Sequence, residues 1–171
     1  RLLPQHFPPY TIDNLPQLDR IPKDNQFHNS LSYGFHMGRR VIPGVKARLD
    51  RKHAQGKILF GISGRPNTST WLYGSYCQRR DAELPLDKLI FRPRGISGTV
   101  SKAVAIKENN IRRFADDDLR VILYLADLFP DKDFDYIMGN PTNIPVNPEE
   151  LAKRPNIRVV PIDSWMNPDF E

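Results

Sequence analysis

The stretch DDDLRVILYLADLFPDKDFDYIMGN, residues 116–140, carries the most regular pattern in this chain. Within 116–129 the apolar residues recur at the spacing of one helix face, and Val121 and Leu125 widen that face. The three leading aspartates can cap the first N–H groups of a helix, and Pro130 would end it. The apolar run that follows, 133–140, is typical of a strand. The stretch therefore predicts a helix that is buried against a sheet.

The pattern continues toward the end of the chain. NPEELAKR, residues 147–154, begins with an asparagine cap, a proline at the first helical position and acids in the first turn, which indicates a short helix. NIRVVPID, residues 156–163, has the composition of a strand. Residues 133–163 therefore predict a β-α-β unit.

Upstream of residue 116 the strand candidates come in pairs. KILFGIS (57–63) and STWLYGSY (69–76) flank the turn-rich GRPNT, and KLIFRP (88–93) and TVSKAVAI (99–106) flank RGISG. Each pair predicts a β-hairpin. VKARLDRKHA (45–54) predicts a short basic helix that Gly56 would end. Together these elements predict an α+β fold, a small and mainly antiparallel sheet packed by one long buried helix.

Length and composition predict one domain with a leading arm. The 171 residues include 16 prolines, against an average usage of about 5%, and many of them lie near the two ends. Residues 1–38 are predicted to be an extended, proline-rich arm, and residues 39–171 a single α+β domain. A single cysteine, Cys77, cannot form an internal disulfide, so an intracellular reducing compartment is expected; a mitochondrial or organellar location and a secreted effector stay open. The chain has no run of 18 apolar residues, which predicts that no segment spans a membrane.

Charge is divided unevenly along the chain. Residues 39–113 carry 17 basic and five acidic side chains, whereas residues 114–171 carry five basic and 12 acidic ones. Basic side chains gain affinity for polyanions by releasing the counterions condensed on phosphates, and arginine, which outnumbers lysine here, suits bidentate phosphate contacts. The pattern predicts that 39–113 contacts nucleic acid, with RNA expected, while the arm and the acidic third meet protein neighbours. The alternative is that the basic and acidic segments pack on each other.

The predicted phosphate contacts fall into a leading and a secondary group. The leading group is Arg39, Arg40, Lys46, Arg48, Arg51 and Lys52, and the secondary group is Arg79, Arg80, Arg92 and Arg94. Aromatic residues such as Trp71 and Tyr73 interleave with the basic ones, which would allow stacking on single-stranded bases. Core packing is the other interpretation of these aromatics.

Residues 134–142, FDYIMGNPT, resemble the catalytic motif of amino-methyltransferases. The resemblance implies a strand that delivers Asn140 and Pro141 to a flipped base. The sequence departs from the family pattern, because Thr142 replaces the second proline, Asn143 stands where an aromatic belongs, and the glycines upstream lack the spacing of a cofactor loop. A strand followed by an Asn-Pro turn is the favoured interpretation.

Residues 60–80 are similar to the GIY-YIG nuclease pattern, with Glu108 in the place of the distant glutamate. Ser63 and Leu72 occupy the positions of the two signature tyrosines, so no group is evident that would activate the attacking water.

No pattern predicts a metal site or a cofactor. The four histidines show no i, i+4 pair and the chain has one cysteine. His36 or His53, with Arg39 and Glu108, are candidates for acid–base work in a metal-independent ribonuclease. The sequence favours a non-catalytic basic subunit of a larger assembly that contacts nucleic-acid phosphates. The alternative is a small effector or toxin-like enzyme domain that acts on RNA or a nucleotide.

Overall fold

The computed structural model describes residues 44–66, 84–93, 96–139, 147–167 and 169–170. The described residues form five helices and five strands. In chain order these are α1 (Val45–Ala54), β1 (Phe60–Pro66), β2 (Lys88–Arg92), α2 (Gly98–Glu108), β3 (Arg113–Asp116), α3 (Leu119–Leu128), β4 (Asp133–Met138), α4 (Pro148–Ala152), β5 (Ile157–Pro161) and α5 (Ile162–Met166).

Every strand pairing among the described residues is parallel. β1 pairs with β2, with Ser63 opposite Phe91, and the second sheet has the order β3-β4-β5, with Phe134 between Phe114 and Ile157. The predicted α+β fold with a mainly antiparallel sheet is therefore wrong. The described chain has mixed α/β content, with two small parallel sheets and helices between the strands.

The physical reason for the correction lies in the connections between the strands. TVSKAVAI, predicted as a strand of a second hairpin, lies within helix α2, and the side chain of Ser97 caps this helix by accepting a bond from the Val100 N–H at 3.1 Å. A parallel pair of strands needs a crossover, because the chain must return to the opposite end of the sheet. α3 is the crossover from β3 to β4 and α4 that from β4 to β5, whereas α2 connects the two sheets.

Several predicted elements are confirmed. α1 has the predicted bounds, α3 covers most of the predicted 116–129 helix with Asp118 as its cap, and β4, α4 and β5 form the predicted β-α-β unit. α3 begins at Leu119 because Asp116 is the last residue of β3. The predicted 1–38 arm, the predicted strand 69–76 and the predicted Asn140-Pro141 turn lie outside the described residues.

One core serves both sheets. Phe134 and Tyr136 of β4 are 1% and 0% exposed, and they belong to a cluster with Ile122 of α3 and Ile106 of α2. Ile62 of β1 packs against the same cluster. Burying a side chain of this size contributes about 1.5–3 kcal/mol relative to leaving it in water. α2 and α3 therefore hold the two sheets together on one face.

The opposite face of the second sheet carries charge. Because side chains alternate along a strand, Asp135 points away from the core; its carboxylate accepts two bonds from Arg158 of β5, at 2.9 and 3.0 Å. Arg158 lies 4.8 Å from the ring centroid of Phe170, and Arg48 of α1 lies 5.3 Å from the same ring and 5.1 Å from that of Trp165. Through Arg48, α1 thus packs on Phe170, whose ring lies against Arg158 on this face. None of the helices in the described ranges is long and apolar enough to cross a membrane.

Candidate functional site

The chain passes through the two sheets in turn. It runs from β1 to β2, α2 carries it to the second sheet, and β3, β4 and β5 follow one after another. In open α/β sheets, ligands bind in the crevice outside the carboxyl ends of the strands. The carboxyl ends of the strands are therefore the candidate location of a ligand site, and the contacts of Lys102 single out those of β1 and β3.

At the carboxyl end of β1 the backbone lies against the first turn of α2. A Cβ atom placed on Gly98 would be 3.3 Å from both the Cα and the carbonyl oxygen of Gly64. Two glycines allow this approach, which puts Ser63 and Gly64 beside a helix N-terminus. The first N–H groups of a helix carry partial positive charge and favour anions.

Lys102 joins the ends of the two sheets. Its Cε would lie 3.7 Å from a Cβ on Gly64, and its ammonium group is ion-paired with the carboxylate of Asp116 at the carboxyl end of β3. The side chains of Lys102 and Asp116 are only 13% and 9% exposed. One lysine therefore brings the carboxyl ends of β1 and β3 to a common edge, which we call the carboxyl edge; it comprises Ser63, Gly64, the first turn of α2, Lys102, Asp116 and Asp117.

The Lys102–Asp116 pair is costly to bury. Removing two charges from water costs several kcal/mol per ion, and well-packed apolar residues are often at least as stable in their place. Burial raises the pKa of Asp116 above its ordinary value, against the opposing charge and hydrogen bond of Lys102 and a 3.0 Å hydrogen bond from the Asp118 N–H. Perturbed groups of this kind in a crevice are candidates for function.

The neighbouring aspartates have different environments. Asp118 accepts bonds from the Arg120 N–H at 3.0 Å and from its guanidinium at 3.1 and 2.9 Å. Burial alone would raise the pKa of Asp118, but the hydrogen bonds and charge of Arg120 outweigh it and lower that pKa below the ordinary value. Asp117 is exposed. Within the described part of the chain, no three His, Cys, Asp or Glu side chains are grouped so that they could hold a metal ion.

The carboxyl edge offers donors of two kinds. They are the ammonium of Lys102 and the N–H groups at the start of α2 other than that of Val100, which Ser97 caps. Such donors match the oxygen atoms of a phosphate group, which accept several hydrogen bonds and carry negative charge. These donors suit an anion, and they stand beside two carboxylates, that of Asp116, which already pairs with Lys102, and that of the exposed Asp117.

The predicted basic contacts on α1 lie elsewhere. Lys46 bonds to Asp50 at 2.7 Å, and Arg51 is paired with Asp169. Lys52 is partly buried. Arg48 is 7% exposed and donates to the carbonyl oxygens of Asn167 and Phe170, at 3.4 and 2.9 Å. α1 therefore makes internal contacts with the end of the chain.

The remaining predicted residues are dispersed. Arg92 is buried at the carboxyl end of β2, where it donates to the carbonyl oxygen of Ile96 at 2.7 Å. The Nε2 atom of His53 lies 3.6 Å from a carboxylate oxygen of Asp87, which stands just before β2. Glu108 is exposed and is the last residue of α2. The structure does not bring His53 or Glu108 to the carboxyl edge. Five arginines and one histidine lie outside the described residues: Arg39, Arg40, Arg79, Arg80, Arg94 and His36.

The carboxyl edge was not predicted from the sequence. In the sequence Lys102 is one of many basic residues of 39–113, and Asp116 is one of three aspartates that precede a helix. The available signal is an apolar run that ends directly in a polar residue, as in FGIS (60–63) and RFAD (113–116). No protein-family model, curated protein or solved structure matches this chain. A function for this chain can therefore be proposed only from the chemistry of its own residues.

Proposed function

We propose that this chain is a binding domain for nucleic-acid or nucleotide phosphates, and that its carboxyl edge takes a terminal phosphate group. The observation that carries the proposal is Lys102, which joins the carboxyl ends of β1 and β3 beside the N-terminus of α2. A phosphate placed there accepts hydrogen bonds from the N–H groups at the start of α2. Lys102 supplies the balancing charge.

Asp116 is the counter-ion of the site before a ligand binds. It keeps the buried ammonium of Lys102 paired, so the site avoids an isolated buried charge. A phosphate, which carries more charge and more acceptor oxygens than one carboxylate, competes with Asp116 for Lys102.

The charge of the chain supports nucleic acid as the source of the phosphate. Residues 39–113 carry 17 basic side chains against five acidic ones, the balance typical of a segment that faces a polyanion. Lys46 of α1 is an example of a described basic side chain in this segment that is exposed to solvent. A free nucleotide offers the same terminal phosphate, and the two sources are separated by experiment.

The test is a calorimetric titration of the full chain with four ligands at fixed, low salt. The ligands are inorganic phosphate, a nucleoside 5′-monophosphate, and a short single-stranded RNA with and without a 5′-phosphate. Lys102→Met is expected to lower the affinity for the phosphate-bearing ligands about 10- to 100-fold, which is the effect of losing a hydrogen bond to a charged group. Lys107→Met is the same change at the exposed end of the same helix, and it is expected to leave the affinity within about twofold of the wild-type value.

One further variant protects the test against a folding defect. Lys102→Met leaves Asp116 without its partner, so Lys102→Met/Asp116→Asn removes both charges and is expected to show the same loss of affinity. Equal affinity of the Lys102 and Lys107 variants, or equal binding of RNA with and without the 5′-phosphate, would refute the carboxyl edge as the site. Tight binding of RNA but not of the mononucleotide would assign nucleic acid as the ligand. Cleavage of RNA in the same samples would favour the effector-enzyme alternative.

A further inference from the structure

The two arginines of α1 are both occupied by one short segment of the chain. Arg48 donates to the carbonyl oxygens of Asn167 and Phe170, at 3.4 and 2.9 Å. Arg51 is ion-paired with the carboxylate of Asp169. Because the two arginines are three residues apart on a helix, they are neighbours on its surface. We call the described residues Asn167, Asp169 and Phe170 the covering segment, since it supplies oxygen acceptors to both arginines.

The aromatic ring of the covering segment lies against guanidinium groups. The centroid of the Phe170 ring is 5.3 Å from the guanidinium carbon of Arg48 and 4.8 Å from that of Arg158 on β5. Guanidinium groups within about 6 Å of a ring centroid attract the ring, and they stack on nucleobases in the same way. Phe170 therefore occupies a place that is suited to a base.

The three arginines differ in how far they depend on the covering segment. Arg158 is held from the sheet by the buried carboxylate of Asp135, through hydrogen bonds of 2.9 and 3.0 Å. For Arg48 and Arg51, the segment supplies the acceptors outside α1 that the described part of the chain provides. Burial lowers the pKa of Arg48, Asp135 opposes this effect, and the charge of Arg158 adds to it. The covering segment thus compensates a local excess of positive charge.

The covering segment resembles one nucleotide in its chemistry. Asp169 carries a negative charge, as a phosphate does, and Phe170 presents a planar aromatic ring, as a base does. Arginine forms charge-assisted, bidentate hydrogen bonds with phosphate oxygens, and these are stronger than its bonds to neutral carbonyl oxygens. One nucleotide of a single-stranded nucleic acid therefore offers the same arginines stronger contacts than the segment does.

The covering segment is weakly attached. The side chains of Asp169 and Arg51 are 72% and 49% exposed, so solvent screens the attraction between them. Asn167 is exposed, and Phe170 is only half-buried. Segments with few buried contacts open at a low cost in free energy. A ligand that supplies both a charge and a ring therefore has a weak competitor.

We propose that Arg48, Arg51 and Arg158 form a second binding site, which takes one nucleotide of a single-stranded nucleic acid and which the covering segment occupies when no ligand is bound. The phosphate lies on Arg51 and Arg48, and the base stacks on the guanidinium groups of Arg48 and Arg158. The basic balance of 39–113 favours a nucleic acid over an acidic peptide as the ligand.

This second site shares the ligand class of the proposed function but none of the residues of the carboxyl edge. While the covering segment is in place, phosphate recognition stays with the carboxyl edge. The two sites are separated by an RNA that bears a 5′-hydroxyl, because it lacks the terminal phosphate that the carboxyl edge is proposed to bind.

The test is a titration of the full chain with such a short single-stranded RNA at fixed, low salt. Phe170→Ala removes the ring that competes with a base, and we expect it to raise the affinity about 5- to 30-fold. Asp169→Asn removes only the competing charge of an exposed pair, so we expect a smaller rise, of up to about fivefold. Because this second change is exposed, it keeps the test valid if Phe170→Ala impairs folding.

Two double variants show whether the gain depends on the proposed site. Arg51→Met/Phe170→Ala is expected to lose the gain in affinity. Lys107→Met/Phe170→Ala is expected to keep it, because Lys107 is exposed at the end of α2 and is not part of the site. No gain in either single variant, or equal affinities of the two double variants, would overturn the inference. Binding of the peptide Asn-Pro-Asp-Phe but not of RNA to Phe170→Ala would assign a peptide ligand and overturn it as well.

Discussion

Asp116 and Asp118 stand two residues apart, and their surroundings move their pKa values in opposite directions. Burial raises the pKa of Asp116, and Arg120 lowers that of Asp118. Asp116 therefore favours folding below the ordinary aspartate pKa, and its contribution is lost as the pH rises through its raised value. Asp118 contributes stability above the ordinary pKa, which is lost as the pH falls through its lowered value.

The contribution of Asp118 is measured with Asp118→Ser. Serine keeps a capping oxygen at the start of α3 but removes the charge that pairs with Arg120. We expect the stability difference between wild type and variant to shrink as the pH falls from about 5 to about 2, where the carboxylate becomes protonated. The measurement is urea unfolding at several pH values. A difference that stays constant over this range would contradict the assignment.

At the scale of elements, α1 is held by the end of the chain. Its one buried side chain is Arg48, whose guanidinium lies over Trp165 and Phe170 and donates to two carbonyl oxygens. Most of the remaining surface of α1 is exposed. The helix is therefore attached chiefly through one arginine.

Arg48→Met tests this attachment. The variant keeps an apolar side chain but loses the cation–π contacts and the hydrogen bonds from a charged group, so we expect a loss of about 1–3 kcal/mol in the free energy of unfolding. Arg51→Met on the same helix removes an exposed ion pair with Asp169, and we expect the free energy of unfolding to change by no more than about 0.5 kcal/mol. Equal effects of the two variants in urea unfolding would show that Arg48 is not the attachment point.

Elements with a strong local signal could be predicted from the sequence. α3 has an acidic start and an apolar face, and α4 has a cap, a proline and acids in its first turn. α2 has no such signal. It buries residues on several sides, among them Val100, Ser101 and Ile106, so its apolar residues form no single stripe, and its β-branched residues favour strands.

The hairpin predictions also gave the wrong direction for the strands. The sequence of one strand does not indicate whether its neighbour is parallel, because the connection between the two strands decides it. Helix α3 connects β3 to β4 and helix α4 connects β4 to β5, so these pairs are parallel. The carboxyl edge could not be predicted either, because it depends on helix α2, which places Lys102 beside Asp116.

At the scale of the whole molecule, a few ion pairs connect the basic segment 39–113 with the acidic segment 114–171. Three ion pairs among the described residues link 39–113 to 114–171: Lys102–Asp116, Arg51–Asp169 and Arg113–Asp133. Of these, only Lys102–Asp116 is buried. The two exposed pairs are weak, because solvent screens them. Phosphate recognition is therefore expected to centre on the carboxyl edge rather than on α1, and the contact of 39–113 with nucleic acid stays a prediction.

The most direct test of the proposed site is an amide chemical-shift titration of the labelled full chain with a nucleoside 5′-monophosphate. We expect the amides of Gly64, Gly98, Lys102 and Asp117 to shift together and to saturate with one dissociation constant. That result would place the phosphate at the carboxyl ends of β1 and β3. Shifts confined to residues 46–52 of α1, or no shifts at ligand concentrations up to the solubility limit, would contradict the proposal.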